Sequence, residues 1–116
     1  MEKVQQLFDL TGRVAVVTGG PGLLGKEFCR TLAEAGAAVV VVDINEAGCN
    51  AVVDSLAAQG YQALAAPTDV TQPASVQIMV ANTLKAFGRL DILVNSAALD
   101  PKFDPEAAAR GIPAGS

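Results

Sequence analysis

Residues 18–25 read Thr-Gly-Gly-Pro-Gly-Leu-Leu-Gly, and they lie between a short apolar run and a segment with helical periodicity. Gly20, Gly22 and Gly25 complete a Gly-x-Gly-x-x-Gly pattern, and Asp43 follows at roughly the 20-residue distance expected of an acidic partner. In such a turn the first glycine allows a tight bend, the second lets a pyrophosphate approach, and the third lets helix and strand pack closely. The stretch therefore predicts a dinucleotide-binding turn.

The helix after this turn begins with backbone amides that have no partner within the helix. They lie at the positive end of the helix dipole, so they can hold phosphate oxygens without a basic side chain, and Lys26 is not needed as a phosphate ligand. The residues predicted to bind the dinucleotide in this turn are Gly19, Gly20, Gly22, Leu23, Leu24 and Gly25.

Asp43 ends the apolar run at residues 39–43, where a carboxylate can accept hydrogen bonds from a ribose diol and would repel a 2′-phosphate. The next residues are Ile44 and Asn45, so no arginine follows to accommodate that phosphate. We therefore predict that Asp43 and Ile44 contact the dinucleotide and that NAD is preferred over NADP. The alternative is that Asp43 or Asn45 merely caps the next helix, whose first turn holds Glu46.

Composition limits the partners of this chain of 116 residues. Apolar residues make up 51% and aromatic residues 4%, which suits buried parallel strands of Val, Leu, Ile and Ala. A net charge of -4 with 8 basic residues predicts no nucleic-acid partner, and no apolar stretch approaches the roughly 18 residues of a membrane span. We expect no membrane partner and a cytoplasmic location.

Histidine is absent from the chain, which excludes His-dependent catalytic triads and His-ligated metals. Cys29 and Cys49 lie in predicted helices without the close spacing of a metal or redox motif, so both are expected to be buried or half-buried free thiols. No metal site is predicted.

Apolar runs alternate with helical segments in a βαβαβαβ pattern, which predicts an α/β fold with a partial doubly wound, Rossmann-like parallel sheet. If the third connection crosses back over the first strand, the strand order is 3-2-1-4 and the switch point lies between strands one and four. The predicted strands are residues 14–17, 38–42, 63–66 and 92–94.

Residues 1–98 are expected to form the dinucleotide-binding unit. Residues 99–116 are expected to be a loop or disordered tail, with a short helix over 105–110 as an alternative.

Over residues 10–98 the sequence resembles the N-terminal half of a short-chain dehydrogenase/reductase. The resemblance rests on the first turn, on Asp43, on Asp69-Val70 after strand three, and on Leu-Asp-Ile-Leu-Val-Asn-Ser-Ala-Ala at residues 90–98. It implies that the Asp after strand three contacts adenine and that the loop after strand four flanks the adenosine ribose. The residues that inherit these expectations are Asp69, Val70, Asn95, Ser96 and Ala97. Alternatively, Asp69 mainly caps the turn ahead of Thr71 and Pro73.

The chain departs from the classical branch of that family at two motifs. Leu23 stands where the classical first turn has its middle glycine, and the position of Gly22 resembles the extended branch instead. Ser96 and Ala98 replace the second Asn and the Gly of the usual Asn-Asn-Ala-Gly. The resemblance therefore leaves the branch open.

The family's proton-transfer chemistry uses a Tyr with a Lys four residues later, and this chain has no such pair. Its one tyrosine is Tyr61, at the start of predicted strand three, so we predict no catalytic residue and no activity for this chain alone.

The resemblance implies the NAD(P)-binding portion of an oxidoreductase that transfers hydride between nicotinamide and an alcohol or carbonyl substrate, in a truncated chain. The alternative is a non-catalytic half-fold that binds NAD or an adenine nucleotide, or only self-associates. Strand four would lack a neighbour on one side, so self-association is expected.

Overall fold

The computed structural model describes residues 9–96, in which strands and helices alternate along the chain. The elements are β1 (Val14–Thr18), α1 (Leu23–Glu34), β2 (Ala38–Asp43), α2 (Glu46–Ala58), β3 (Ala63–Pro67), α3 (Pro73–Phe87) and β4 (Ile92–Asn95). Each strand starts at the predicted residue and ends one residue later than predicted. Ala97, the expected tail at residues 99–116 and the alternative helix over 105–110 lie outside the described residues.

The four strands form one parallel sheet in the order β3-β2-β1-β4, which confirms the predicted Rossmann-like topology. Thr18, the last residue of β1, pairs with Val42 on one side and with Asn95 on the other, and Asp43 pairs with Pro67. The carboxyl ends of all four strands therefore meet at one edge of the sheet. This edge includes the switch point between β1 and β4, where open α/β sheets bind ligands.

The core has two layers because the inner strands β1 and β2 send alternate side chains to opposite faces of the sheet. Val17, Val39 and Val41 pack with residues of α1 and α2 on one face. Val16 and Val40 belong to the other layer, which is covered by α3. Every valine of these two strands is buried, so the sheet is a rigid platform for the loops at its carboxyl edge.

Cys29 in α1 and Cys49 in α2 are both buried free thiols, as predicted. Burial raises the pKa of the Cys29 thiol to about 12. Because the thiolate is the reactive form, this raised pKa disfavours reaction of Cys29 at neutral pH. Over residues 9–96, no helix combines the length and apolar character needed to cross a membrane.

Asp91 joins the amino ends of β4 and β1. The Val14 amide donates to Asp91 Oδ2 over 2.9 Å, while Arg89 Nε and Nη2 donate to the two carboxylate oxygens over 2.8 and 2.7 Å. Arg13 Nη1 lies farther away, 3.5 Å from Oδ1. The Arg89 guanidinium and the Val14 amide lower the pKa of Asp91 to about 2. The ionised carboxylate therefore favours the folded chain.

Asp91→Asn should lower the urea midpoint at neutral pH, because the variant loses charged hydrogen bonds to Arg89. The folded-state pKa of about 2 lies below the usual unfolded value of about 3.9, so the stabilisation is complete above that value and is lost as the pH falls through 2. Urea unfolding at pH 7, 4 and 2 should show the difference from the unaltered chain shrinking between the last two. Asp54→Asn, at an exposed position of α2, is the control. A difference of constant size down to pH 2 would contradict this role.

Candidate functional site

The turn between β1 and α1 is fastened to the carboxyl end of β2. The amides of Gly19 and Gly20 both donate to the carbonyl oxygen of Val42, over 2.8 and 3.3 Å. Gly19 has a φ of +70°, a left-handed conformation that favours glycine. The tight bend assigned to Gly20 from the sequence is therefore made by Gly19.

Gly20 and Gly25 are required by close packing. A Cβ atom on Gly20 would lie 2.5 Å from Cγ1 of Val41, a side chain of β2. A Cβ atom on Gly25 would lie 2.1 Å from the carbonyl oxygen of Gly19, so α1 touches the backbone of the turn. The close contact at Gly25 is therefore between α1 and the turn, whereas the sequence predicts helix against strand for the third glycine. A larger residue at either position would displace the turn.

The first turn of α1 presents backbone amides toward the carboxyl edge of the sheet. Gly22 is the N-cap residue with a φ of -66°, and its carbonyl oxygen accepts from the Lys26 amide. The amides of Leu23, Leu24 and Gly25 have no hydrogen-bond acceptor among the described residues. No side chain caps this helix and no acidic residue stands in its first turn. Three free donors at the positive end of a helix dipole fit a phosphate group.

Asp43 lies beside this turn at the end of β2, and one of its carboxylate oxygens is free. Oδ2 accepts from the Asn45 amide over 2.9 Å, and in residues 9–96 Oδ1 has no hydrogen-bond partner. The cap of α2 comes from Asn45, whose Oδ1 accepts from the Gly48 amide over 3.0 Å. Helix capping is therefore done by Asn45, and Asp43 holds its neighbour's amide while keeping one oxygen open. Ile44, with 73% of its surface exposed, follows it.

Asp69 and Val70 follow β3, the strand next to β2. Asp69 Oδ1 accepts from the amide and from Oγ1 of Thr71, over 3.0 and 2.6 Å. The Thr71 hydroxyl is the main cause that lowers the pKa of Asp69 below its usual value. Asp69 therefore stabilises the turn before α3, as the alternative reading expects, while in the described part of the chain its Oδ2 makes no hydrogen bond. Val70 is 54% exposed and offers an apolar surface.

Asn95 and Ser96 connect the end of β4 to β1. Thr18 Oγ1 donates to Asn95 Oδ1 over 3.0 Å, and the buried Ser96 Oγ donates to the carbonyl oxygen of Thr18. The Ser96 hydroxyl is thus engaged in holding the sheet together, while Asn95 stays exposed at the switch point. Ala97, the remaining predicted site residue, lies outside the described range.

The structure brings the glycine turn, Asp43, Ile44 and Asn95 to one edge of the sheet, with Asp69 and Val70 at the neighbouring strand. Sequence reasoning missed two groups that hold this edge in place: the carbonyl oxygen of Val42 and the hydroxyl of Thr18. No sequence pattern marks a carbonyl acceptor. The position of Thr18, directly before the glycines, was the available signal for the second.

A family profile described as short chain dehydrogenase matches residues 13–111. The chain belongs to the short-chain dehydrogenase family. One relative in this family, the short chain dehydrogenase/reductase astE of Aspergillus oryzae, is 47% identical over 104 residues, which are 89% of this chain and 40% of that protein. The chain therefore spans about two fifths of the length of this relative.

Two solved structures are similar to this chain in fold. A short chain dehydrogenase/reductase from Burkholderia phymatum in complex with NAD has a TM-score of 0.71 and 34% identity, covering 73% of this chain and 30% of that one. A 7 alpha-hydroxysteroid dehydrogenase complexed with NADH and 7-oxo glycochenodeoxycholic acid has a TM-score of 0.73 and 40% identity, covering 76% and 34%.

Proposed function

We propose that this chain is the NAD-binding portion of a short-chain dehydrogenase/reductase, with residues 1–98 as the binding unit and 99–116 as a loop-like tail. The observation that carries the proposal is the meeting, at one sheet edge, of three free amides on α1 and a free oxygen on Asp43. The solved relatives named above hold NAD or NADH, which supports the same ligand here. Limited proteolysis tests the boundary, because cleavage should concentrate beyond residue 98.

The residues present fit a nicotinamide dinucleotide along this edge. The amides of Leu23, Leu24 and Gly25 would hold the pyrophosphate, and Asp43 Oδ1 would accept from the adenosine ribose. Ile44 and Val70 would lie against adenine, where their exposed apolar surfaces would be covered. Gly19, Gly20 and Gly22 would shape the turn, with Asn95, Ser96 and Ala97 beside the ribose. When bound, the nicotinamide ring supplies the hydride donor or acceptor.

Asp43 supports a preference for NAD over NADP. A 2′-phosphate on the ribose would lie close to its carboxylate, and like charges about 4 Å apart repel by roughly 1 to 4 kcal/mol near a protein surface. The neighbouring positions offer no compensating cation, since Gly20 and Pro21 form the turn and Ile44 and Asn45 follow Asp43.

Calorimetric titration of the 116-residue polypeptide should show NAD binding about fivefold or more tightly than NADP, the factor expected from the lower end of that repulsion. Asp43→Ala should remove most of the preference. Asp69→Ala is the matched control: it should weaken NAD and NADP by the same factor, because adenine is common to both. Equal affinities in the unaltered chain would contradict the NAD assignment, and absence of binding would contradict the proposed function.

Asp69 is proposed to accept from the adenine amino group through Oδ2 while Oδ1 remains with Thr71. Such a hydrogen bond is worth on the order of 1 kcal/mol, or somewhat more when the acceptor is charged. The Asp69→Ala variant described above also tests whether Asp69 contacts adenine. A lower melting temperature with unchanged nucleotide affinity would restrict Asp69 to the turn.

In a longer protein of this family we propose hydride transfer between the nicotinamide and an alcohol or carbonyl substrate. The 116 residues alone should give no turnover, because Tyr61 lies before β3, packs against the core and has no Lys four residues later. A positioned proton donor contributes about 10² to 10⁴ in rate. NADH absorbance with a panel of alcohols and ketones should therefore stay at the blank. Substrate-dependent turnover that is lost in Gly22→Asp would contradict this expectation.

The edge of β4 is proposed to bind a second copy of the chain. Among the described strands β4 pairs with β1 alone, and its Leu93 is 65% exposed. Unpaired apolar edges recruit other strands. Sedimentation velocity at rising concentration should show association that Leu93→Lys weakens and Ile78→Lys, on the exposed side of α3, leaves unchanged. A monomer at high concentration would overturn the proposal.

We further propose a cytoplasmic location. Cys29 and Cys49 lie in one core cluster as free thiols, which is usual in a reducing compartment. Cell fractionation tests this proposal, and recovery outside the cytoplasm would contradict it.

A further inference from the structure

Gly48 occupies the first turn of α2, where glycine is a costly choice. Glycine destabilises a helix relative to alanine, and this residue does not adopt the left-handed conformation that would require it. The reason is steric. A Cβ atom on Gly48 would lie 2.9 Å from Cβ and 3.1 Å from Cγ of Pro21, which belongs to the glycine-rich turn. The same atom would lie 3.1 Å from Nδ2 of Asn45, the movable end of an amide side chain.

The Pro21 side of this contact is held in place by the backbone. The amides of Gly19 and Gly20 are bonded to Val42, and the Gly22 amide donates to the carbonyl oxygen of Gly19 over 3.0 Å. Pro21 lies within this closed turn, so a backbone shift away from α2 would strain these hydrogen bonds.

The start of α2, which carries Gly48, also makes hydrogen bonds that limit its movement. Its amide donates to Asn45 Oδ1, and the amide of Cys49 donates to the Asn45 carbonyl oxygen over 3.0 Å. The thiol of Cys49 is fully buried and lies 3.7 Å from the carbonyl oxygen of Asp43, to which it donates. A shift of α2 away from Pro21 would therefore also disturb this contact with the Asp43 backbone.

We propose that Gly48 is a positioning residue for the dinucleotide: its missing side chain lets α2 sit against Pro21 and so sets the distance between the α1 amides and the Asp43 carboxylate. This inference rests on the proposed function, in which those two groups hold the pyrophosphate and the ribose of one ligand. A side chain at position 48 separates the two groups, and a ligand that must reach both binds less tightly.

A double-mutant cycle between positions 48 and 21, with NAD as the calorimetric probe, tests the proposal. Gly48→Ala should raise the Kd by roughly fivefold or more, the lower end of the effect of overpacking. Pro21→Gly removes both Pro21 atoms that the new Cβ would meet and leaves only the movable Asn45 amide, so Gly48→Ala in the Pro21→Gly background should leave the Kd of that background unchanged. Ala47→Gly, in the same helical turn and exposed, is the matched control and should leave the Kd unchanged.

Thermal unfolding of the same proteins gives a second readout. Alanine is the better helix former, so Gly48→Ala should raise the melting temperature when residue 21 is Gly and lower it when residue 21 is Pro. If Gly48→Ala fails to fold when residue 21 is Pro, Gly48→Ala is instead measured in a Pro21→Ala background. The Pro21→Ala substitution removes Cγ of residue 21 and keeps its Cβ. The Kd of Pro21→Ala/Gly48→Ala should then exceed that of Pro21→Gly/Gly48→Ala.

The outcomes distinguish failure of the proposed function from failure of the role inferred for Gly48. Absence of NAD binding by the unaltered chain overturns the proposed function, and this inference with it. NAD binding with an unchanged Kd in Gly48→Ala overturns the inference alone, as does a weakened Kd that Pro21→Gly does not restore. A change in melting temperature with no change in Kd assigns Gly48 to stability only and likewise overturns it.

Discussion

The arrangement at the carboxyl edge depends on one acceptor, the carbonyl oxygen of Val42. By taking the amides of both Gly19 and Gly20, it anchors the β1–α1 turn to the end of β2. That anchoring brings the turn so near to β2 and to α1 that a Cβ atom would overlap Val41 at position 20 and the Gly19 carbonyl at position 25. This same connection holds the start of α1 at the edge of the sheet where the Asp43 carboxylate lies.

The two edges of the sheet differ in whether their polar groups have hydrogen-bond partners within the protein. At the amino edge, Asp91 accepts from Val14 and Arg89, so its charge is used within the fold. At the carboxyl edge, the described amides of the first α1 turn and Asp43 Oδ1 have no protein partner. Hydrogen-bonding groups left open on a rigid, buried sheet are suited to a polar ligand, whereas the paired groups opposite contribute to stability. The open and the paired polar groups lie at opposite edges because the strands are parallel, so that the segments following all four strands lie on one side of the sheet.

Much of the site could be predicted from sequence, but the division of tasks among neighbouring residues could not. Asp43 and Asn45 were equally able to cap α2, and the structure gives the cap to Asn45 because its Oδ1 reaches the Gly48 amide. Asp69 was open to an adenine or a turn role, and one of its oxygens is engaged by Thr71 while the other is free for the proposed ligand. Short polar side chains have several acceptors within reach, and small differences in backbone direction decide which one they meet.

By itself, the sequence determined the order and the starting residues of the strands, because apolar runs and glycine punctuation are local signals and crossover handedness leaves few ways to join parallel strands. It also determined that the first turn suits a dinucleotide. Only the tertiary structure decided which atoms meet across the sheet edge: Pro21 with Gly48, and Thr18 with Asn95, which lies 77 residues away. Such contacts depend on strand register and on how closely helices approach, and these are set by packing of the whole core rather than by any local pattern.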